Sequence, residues 1–308
     1  MKKIEVLGLE RIPEIKAADN LAKIIVEAAE KEAGGLREKD IVVLTSKIVS
    51  KAMGLTRRFG EVVPGKKALK ISKKTGKDAR WLQMIFDEGH EILAILPLKG
   101  IAAKHIIGSS GGDDQCTQEL IEHEQAICIT RSKEGRVHTC DAGIDGSNHP
   151  GDVVSFLPKD PDGAAREIRE EIRKFIGREV AVILADTEMV PFGTMDLAIG
   201  SAGISPRSKM FGRKDLFGKP KFGGMDIVAH ELTAASALVF GQVNAGVPAA
   251  IIRGYEYETS ETESVSNTIL NKDSAKELSA IIRATLKATA YAKGFKQRIL
   301  LRIASWLV

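Results

Sequence analysis

The sequence predicts a mixed α/β (α+β) fold, and three features carry that prediction. Two apolar runs, Asp40-Ile-Val-Val-Leu-Thr-Ser46 and Val180-Ala-Val-Ile-Leu184, read as buried strands, parallel by their near-continuous apolarity. Stretches with apolar residues at helical spacing separate such runs. Polar turns follow the strands, and open α/β sheets bind ligands beyond the carboxyl ends of their strands. At 308 residues, 44% apolar and 28% charged, the chain can bury a substantial core and lacks the composition of a disordered one. A net charge of +4 is too small to point to nucleic acid.

Each element has its own signal. Ile4–Gly8 reads as a short strand. Ala18–Ala33 reads as a helix capped by Asp19, with a stripe of Leu21, Ile24, Ile25, Ala28 and Ala29, and Gly34-Gly35 ends it. The strand from Asp40 runs into Ser46, with Lys47 and Lys51 just beyond. Taken alone, that is a helix start with solvated lysines, since the glycines of a P-loop are missing. Residues 67–90 read as a charged helix with Trp81, Leu82, Ile85 and Phe86 inward. Its lysine-rich start, Lys66 through Lys77, reads as a solvated face, as does Arg57-Arg58. Gly108–Asp114 is loop-like. Ala126–Thr130 and Arg136–Cys140 read as strands of a hairpin turning at Lys133-Glu-Gly135. A turn at 158–163 leads into a helix over Ala164–Ile176, stopped by Gly177. The small residues of Leu197–Gly203 allow close backbone approach. A helix over Ile227–Phe240, a polar turn over Gly241–Gly246 and a strand over Ala249–Ile252 follow.

The chemistry concentrates in two stretches. Asp141-Ala-Gly-Ile-Asp-Gly-Ser-Asn148 is a polar loop with two carboxylates, and Asp186-Thr187 ends the apolar run from Val180. Asp145, Asp186 and Thr187 offer oxygen alone, which suits Mg²⁺ or Mn²⁺ and the phosphates such ions accompany. Cys116, Cys128 and Cys140 form no CxxC pair, and His138 with Cys140 gives too few ligands for a soft metal. An odd cysteine count without a signal peptide predicts a reducing, cytoplasmic setting. No apolar run reaches the length of a membrane span.

Taken in order, these and further stretches resemble the coenzyme F420-0:L-glutamate ligase family. The matched pieces are Pro13 with Ile15; Ser46-Lys-Ile-Val-Ser-Lys51; Thr75-Gly-Lys-Asp78; Ala142-Gly-Ile-Asp145 with Ser147-Asn148; and Asp160-Pro-Asp162. Asp186-Thr187, Ala198-Ile-Gly200 with Gly203, Gly212–Leu216 with Gly218, Gly241-Gln242, Gly246-Val-Pro248 and Arg253-Gly254 continue the series. The resemblance implies a fold of the family's own type, and no GxGxxG follows the first strand to suggest a Rossmann domain. It implies a ligase that uses GTP (ATP remains open) and Mg²⁺ or Mn²⁺ to join L-glutamate, or another amino acid, to a carboxylate acceptor through an acyl phosphate. Asp145, Asp186, Thr187 and Gln242 would hold metal. Ile12, Pro13, Glu14, Ile15, Ser46, Lys47, Lys51 and Asn148 would line the nucleotide, with Phe240, Gly241, Gln242, Val243, Asn244, Ala245, Gly246 and Val247. Asp145, Asp186 and Lys51 would carry the catalysis. No base for the amine stands out; Asp141 and Glu188 lie near the metal loops. A homodimer is also implied.

Three departures stand against that pattern. Glu188–Asp196 is short and lacks the arginines expected there, Asp141 replaces a common asparagine, and residues about 95–125 look inserted. A folate-type or other acceptor is therefore the first alternative, and a nucleotide-binding regulatory protein without ligase activity the second. The matched stretches end near Gly254, which sets a catalytic domain over 1–254 and a helical extension over 255–308. In that extension Phe295, Ile299, Ile303 and Trp306 share one helical face beside Leu300 and Leu307, with Lys296, Arg298 and Arg302. Docking on the protein's own body or on a partner subunit is expected, and membrane association is not.

Overall fold

A computed structural model describes residues 2–98, 126–190, 193–269 and 272–307. Its strands are β1 (Glu5–Gly8), β2 (Ile41–Thr45), β3 (Thr56–Arg58), β4 (Glu91–Pro97), β5 (Ala126–Arg131), β6 (Val137–His138), β7 (Val153–Ser155), β8 (Ala181–Val190), β9 (Gly193–Ala202) and β10 (Ala249–Arg253). Its α-helices are α1 (Leu21–Ala33), α2 (Ser46–Ala52), α3 (Lys66–Thr75), α4 (Ala79–Asp87), α5 (Pro161–Ile176), α6 (Val228–Phe240), α7 (Val265–Thr268), α8 (Lys272–Tyr291) and α9 (Phe295–Leu307). The fold is mixed α/β, as the sequence predicts.

The main sheet has the order β1-β10-β2-β8-β9. Only β2 and β8 pair in parallel; β1 with β10, β10 with β2, and β8 with β9 are antiparallel. The two runs read as buried parallel strands, β2 and β8, are buried on both faces and do pair in parallel, each with an antiparallel strand on its other side. Alternation along the strands splits the core in two. Val42, Leu44, Val182 and Leu184 pack on Ile25 and Ala28 of α1 and Ile172 of α5. Ile41, Val43, Ala181 and Ile183 pack on Ala229 and Leu232 of α6. A second lobe joins the sheets β4-β5-β6 and β3-β7 to α3 and α4. Its core holds Ala68, Leu82, Met84, Ile85, Cys128, Ile144 and Val154.

The small stretch in β9 sits where close approach was expected. A Cβ on Gly200 would lie 2.5 Å from the Pro161 backbone, so any larger residue there would push α5 off the sheet. Several matched residues prove to hold the fold rather than the cleft. Asp160 caps α5 through the Gly163 N–H, and buried Asp162 accepts from the Ser201 N–H. Arg253 clamps Asp40 and donates to the carbonyls of Ala33 and Gly35.

Several expectations are corrected. Asn20, not Asp19, caps α1; Asp19 instead accepts from the Lys16 N–H. The helix read over 67–90 is two helices, broken where Gly76 turns left-handed. Lys77 lies at that break and is 1% exposed, so the lysine-rich stretch is not uniformly a solvated face. The strand read over Arg136–Cys140 is only Val137–His138, because left-handed Asp141 and Ala142 follow closely. The strand from Ala181 does not end at Leu184 but continues through Asp186-Thr187 to Val190, held by its antiparallel partner β9. In the extension, Phe295, Ile299, Leu300 and Ile303 face solvent instead of docking on the chain's own body. The loop read at 108–114, Cys116 and most of the 95–125 insertion lie outside the described residues.

Candidate functional site

Five segments meet at one end of the main sheet. β2 stops at Thr45, paired with Ala185 of β8. β8 runs on, so Asp186 projects where its parallel neighbour has become α2. There Ser46 Oγ donates to Asp186 Oδ1 at 2.7 Å. The second lobe brings in the Asp141–Asn148 loop. The segment before α1 brings Ile12–Ile15, and the turn after α6 brings Phe240–Val247. Together they line a cleft of 430 Å³. The cleft contains every residue assigned by the resemblance except Ala245.

Tertiary structure changes the reading of the two lysines. Their side chains are 18% and 9% exposed, not solvated. Lys47 donates to Asp145 and to the Ser147 carbonyl and hydroxyl, the latter two at 2.5 and 2.6 Å. Lys51 donates to Glu14 at 2.5 Å and to the Asn148 carbonyl at 2.9 Å. The Asn148 side chain in turn donates to the Val243 carbonyl at 3.1 Å. The lysines therefore tie three of the cleft's segments together.

The oxygen donors divide across β8 because side chains alternate along a strand. Asp186 faces Ser46 and the Asp141–Asn148 loop. Thr187 faces the α6 side, where its hydroxyl donates to Asp196 at 2.7 Å and lies 3.4 Å from Gln242 Oε1. Gln242 Nε2 also donates to Asp196, at 3.0 Å. Asp196 is the residue that sequence reasoning missed. Its available signal was position: it pairs with Thr187 across the β8–β9 ladder, in the stretch noted only for missing arginines. Burial pushes the Asp186 carboxyl up to about 8, reinforced by the charges of Glu188, Asp145 and Asp196 and opposed by the Ser46 hydrogen bond. Carboxylates crowded this way gain from a cation. Among the described residues, no three His, Cys, Asp or Glu side chains are gathered at metal-ligand spacing. The donor set is instead two carboxylates with a hydroxyl and an amide oxygen, whose chemistry fits a hard divalent cation.

Neither carboxylate considered as a base is free for that task. Asp141 is bound by Lys77 Nζ at 2.6 Å and by the Cys128 N–H at 2.9 Å. Burial works against the Glu188 anion, but hydrogen bonds from His138 and Thr139 hold its carboxyl below the usual range. Burial, with Glu188 and Asp141 nearby, raises the Cys140 thiol to about 11, which disfavours soft-metal ligation. A larger hollow of 720 Å³ lies between Met53–Arg57 and the start of α5. It holds none of the assigned residues, and its Arg57 is engaged by Asp87 at 2.8 Å.

Comparison with known proteins identifies the family. Residues 10–254 match the family model described as F420-0:Gamma-glutamyl ligase. The chain is 35% identical over 256 residues to a coenzyme F420:L-glutamate ligase of Methanothermobacter thermautotrophicus, covering 82% of this chain and 90% of the relative. It is 32% identical over 274 residues to the enzyme of that name from Methanosarcina acetivorans, covering 88% and 94%. With the Archaeoglobus fulgidus enzyme of the same name it shares 32% identity, covering 82% and 88%. By that match and those identities, the chain belongs to the F420-0:gamma-glutamyl ligase family.

Proposed function

We propose that this protein joins L-glutamate to a carboxylate acceptor, using a nucleoside triphosphate, GTP in the first instance, and Mg²⁺ or Mn²⁺. The observation that carries the reading is the meeting of Asp145, Asp186, Thr187 and Gln242 with Lys47 and Lys51 in one cleft. A divalent cation held by the oxygen donors would neutralise phosphate charge. Lys47 and Lys51 exchange part of their internal pairing for phosphate oxygens, while Ile12–Ile15 and Phe240–Val247 enclose the nucleoside. An oxygen of the acceptor carboxylate attacks the γ-phosphorus, the bond to the β-phosphate oxygen breaks, and an acyl phosphate and nucleoside diphosphate result. The glutamate amine then attacks the acyl carbon, phosphate leaves, and the amine gives up a proton as the amide forms. Positioning and charge neutralisation supply most of the acceleration in the first step.

The missing arginines in Glu188–Asp196 favour a second reading at the acceptor. Arginine grips phosphate and carboxylate in forked pairs, so their lack favours a changed grip on the anionic acceptor and hence a different acceptor, such as a folate. Incubation with GTP or ATP, Mg²⁺ or Mn²⁺, glutamate and a panel including F420-0 and folates tests both readings by mass spectrometry. An amide product with nucleotide consumption is expected. No product and no nucleotide turnover across the panel would reject the ligase reading. Lys51→Ala should weaken nucleotide binding roughly tenfold or more, through a lost charged hydrogen bond, while Mn²⁺ binding without nucleotide persists.

A homodimer belongs to the same proposal. It would cover the exposed Phe211, Leu216, Phe217 and Phe222 between β9 and α6. Light scattering should give twice the 33.3 kDa chain mass, and a monomer mass at working concentration would remove this part of the proposal.

A further inference from the structure

The helices beyond the family match form a hairpin with a divided surface. α9 turns one side inward through Leu301, Ala304 and Ser305, with Ser305 and the Ala290 of α8 each 1% exposed. Arg298 ties the turn, donating to the carbonyls of Ala290 at 3.2 Å and Lys293 at 3.4 Å. The opposite arc of α9 is left in solvent: Phe295 is 78% exposed, Leu300 66%, Ile303 54% and Ile299 44%. Single exposed apolar residues are ordinary on a protein surface, but four on one arc of a short helix mark a surface with a partner.

Charge identifies the partner. Residues 278–308 hold six lysines and arginines and no aspartate or glutamate, while the rest of the chain is net negative. Lys296 and Arg302 flank the apolar arc, and both are exposed. Packing two such hairpins together would juxtapose two cationic blocks, which repulsion opposes. Anionic lipid headgroups supply the opposite charge, and the acyl boundary accepts the apolar arc. Lysine and arginine stems are long enough to lie along that boundary with their charges among the headgroups. No helix among the described residues is long and apolar enough to cross a membrane, so the hairpin would lie on the surface.

We infer that the α8–α9 hairpin docks this protein on an anionic membrane surface through the Phe295–Ile299–Leu300–Ile303 arc. The cleft is lined by other elements. The test is co-sedimentation of the full chain with vesicles of two parts phosphatidylcholine to one part phosphatidylglycerol, against phosphatidylcholine alone. Binding to the anionic vesicles only, weakened by added salt, is expected. Each cation near such a surface strengthens binding roughly fivefold, so Lys296→Gln with Arg302→Gln should lower partitioning about 30-fold. Phe295→Asp with Ile303→Asp should abolish binding and leave nucleotide affinity unchanged. The charge pair alters exposed side chains alone and tests the idea even if the apolar pair disturbs the helix. The inference fails if the full chain stays in the supernatant, or binds neutral and anionic vesicles equally. It also fails if vesicles do not bind and Phe295→Asp with Ile303→Asp instead splits a dimer, which would make the arc a subunit contact.

Discussion

Asp186→Asn is expected to weaken Mn²⁺ binding about 100-fold or more, since even residues that only support a metal ligand are worth ten- to hundredfold. The wild-type affinity should also depend on pH. Burial and neighbouring carboxylates put the Asp186 carboxyl near 8, so metal must displace a proton below that pH. Apparent affinity should rise about tenfold per pH unit from pH 6 to 8 and then level off. Asp186→Asn should flatten that profile. Calorimetry at several pH values reads both, and an unchanged, pH-dependent Mn²⁺ affinity in the folded variant would remove Asp186 from the metal site.

The same group governs the stability of the metal-free protein, and the sign follows from its raised value. The folded state retains a proton that the unfolded chain, with its carboxyl near 3.8, has released. That stabilisation is lost as pH rises through about 8. His90, held down to about 4 by burial and by His138, acts in the opposite direction but only below its ordinary 6.5. Between about 6.5 and 8, the thermal midpoint in chelator should therefore fall with pH, and Asp186→Asn should remove the fall.

Lys77→Met is expected to destabilise the fold by about 3–5 kcal/mol, the usual result of leaving one member of a buried ion pair alone. Lys77 is 1% exposed and Asp141 is 9% exposed. Asp141 also has a φ of 45° and Ala142 a φ of 63°, left-handed values that cost side-chain-bearing residues roughly 1–3 kcal/mol. Gly143 follows at 69°, where a Cβ would meet Leu157 at 2.2 Å. The ion pair and the Cys128 N–H hold this strained turn, and the turn sets Asp145 against Lys47. Lys77→Met with Asp141→Leu should recover much of the stability, because no charge is then stranded. It should not recover Mn²⁺ affinity, because the turn is no longer held by Asp141. Denaturant unfolding and metal titration of both variants check this. A single variant as stable as wild type would show that the pair contributes nothing.

How much was legible in the chain differs from element to element. The burial of Ile41–Leu44 and Ala181–Leu184, the stop of α5 at Gly177 and the matched cleft residues could all be read locally. Apolar runs, left-handed glycines and residue order carry that information without contacts. What remained hidden depended on partners distant in sequence. The continuation of β8 through Asp186 is set by its ladder with β9. Asp196 became visible only through its pairing with Thr187. The burial of Lys77 depends on Asp141, 64 residues away. In the extension, helical periodicity placed Phe295, Ile299, Leu300 and Ile303 on one side, where all four are exposed, but that spacing is the same whether a face is covered or open. Sequence by itself determined where most strands and helices lie and which residues form the family motifs, because those are short-range or ordered patterns. Tertiary structure decided which antiparallel strands flank the parallel β2–β8 pair, the grouping of oxygen donors on the two faces of β8 and which apolar face lacked a cover, because each depends on what packs opposite it.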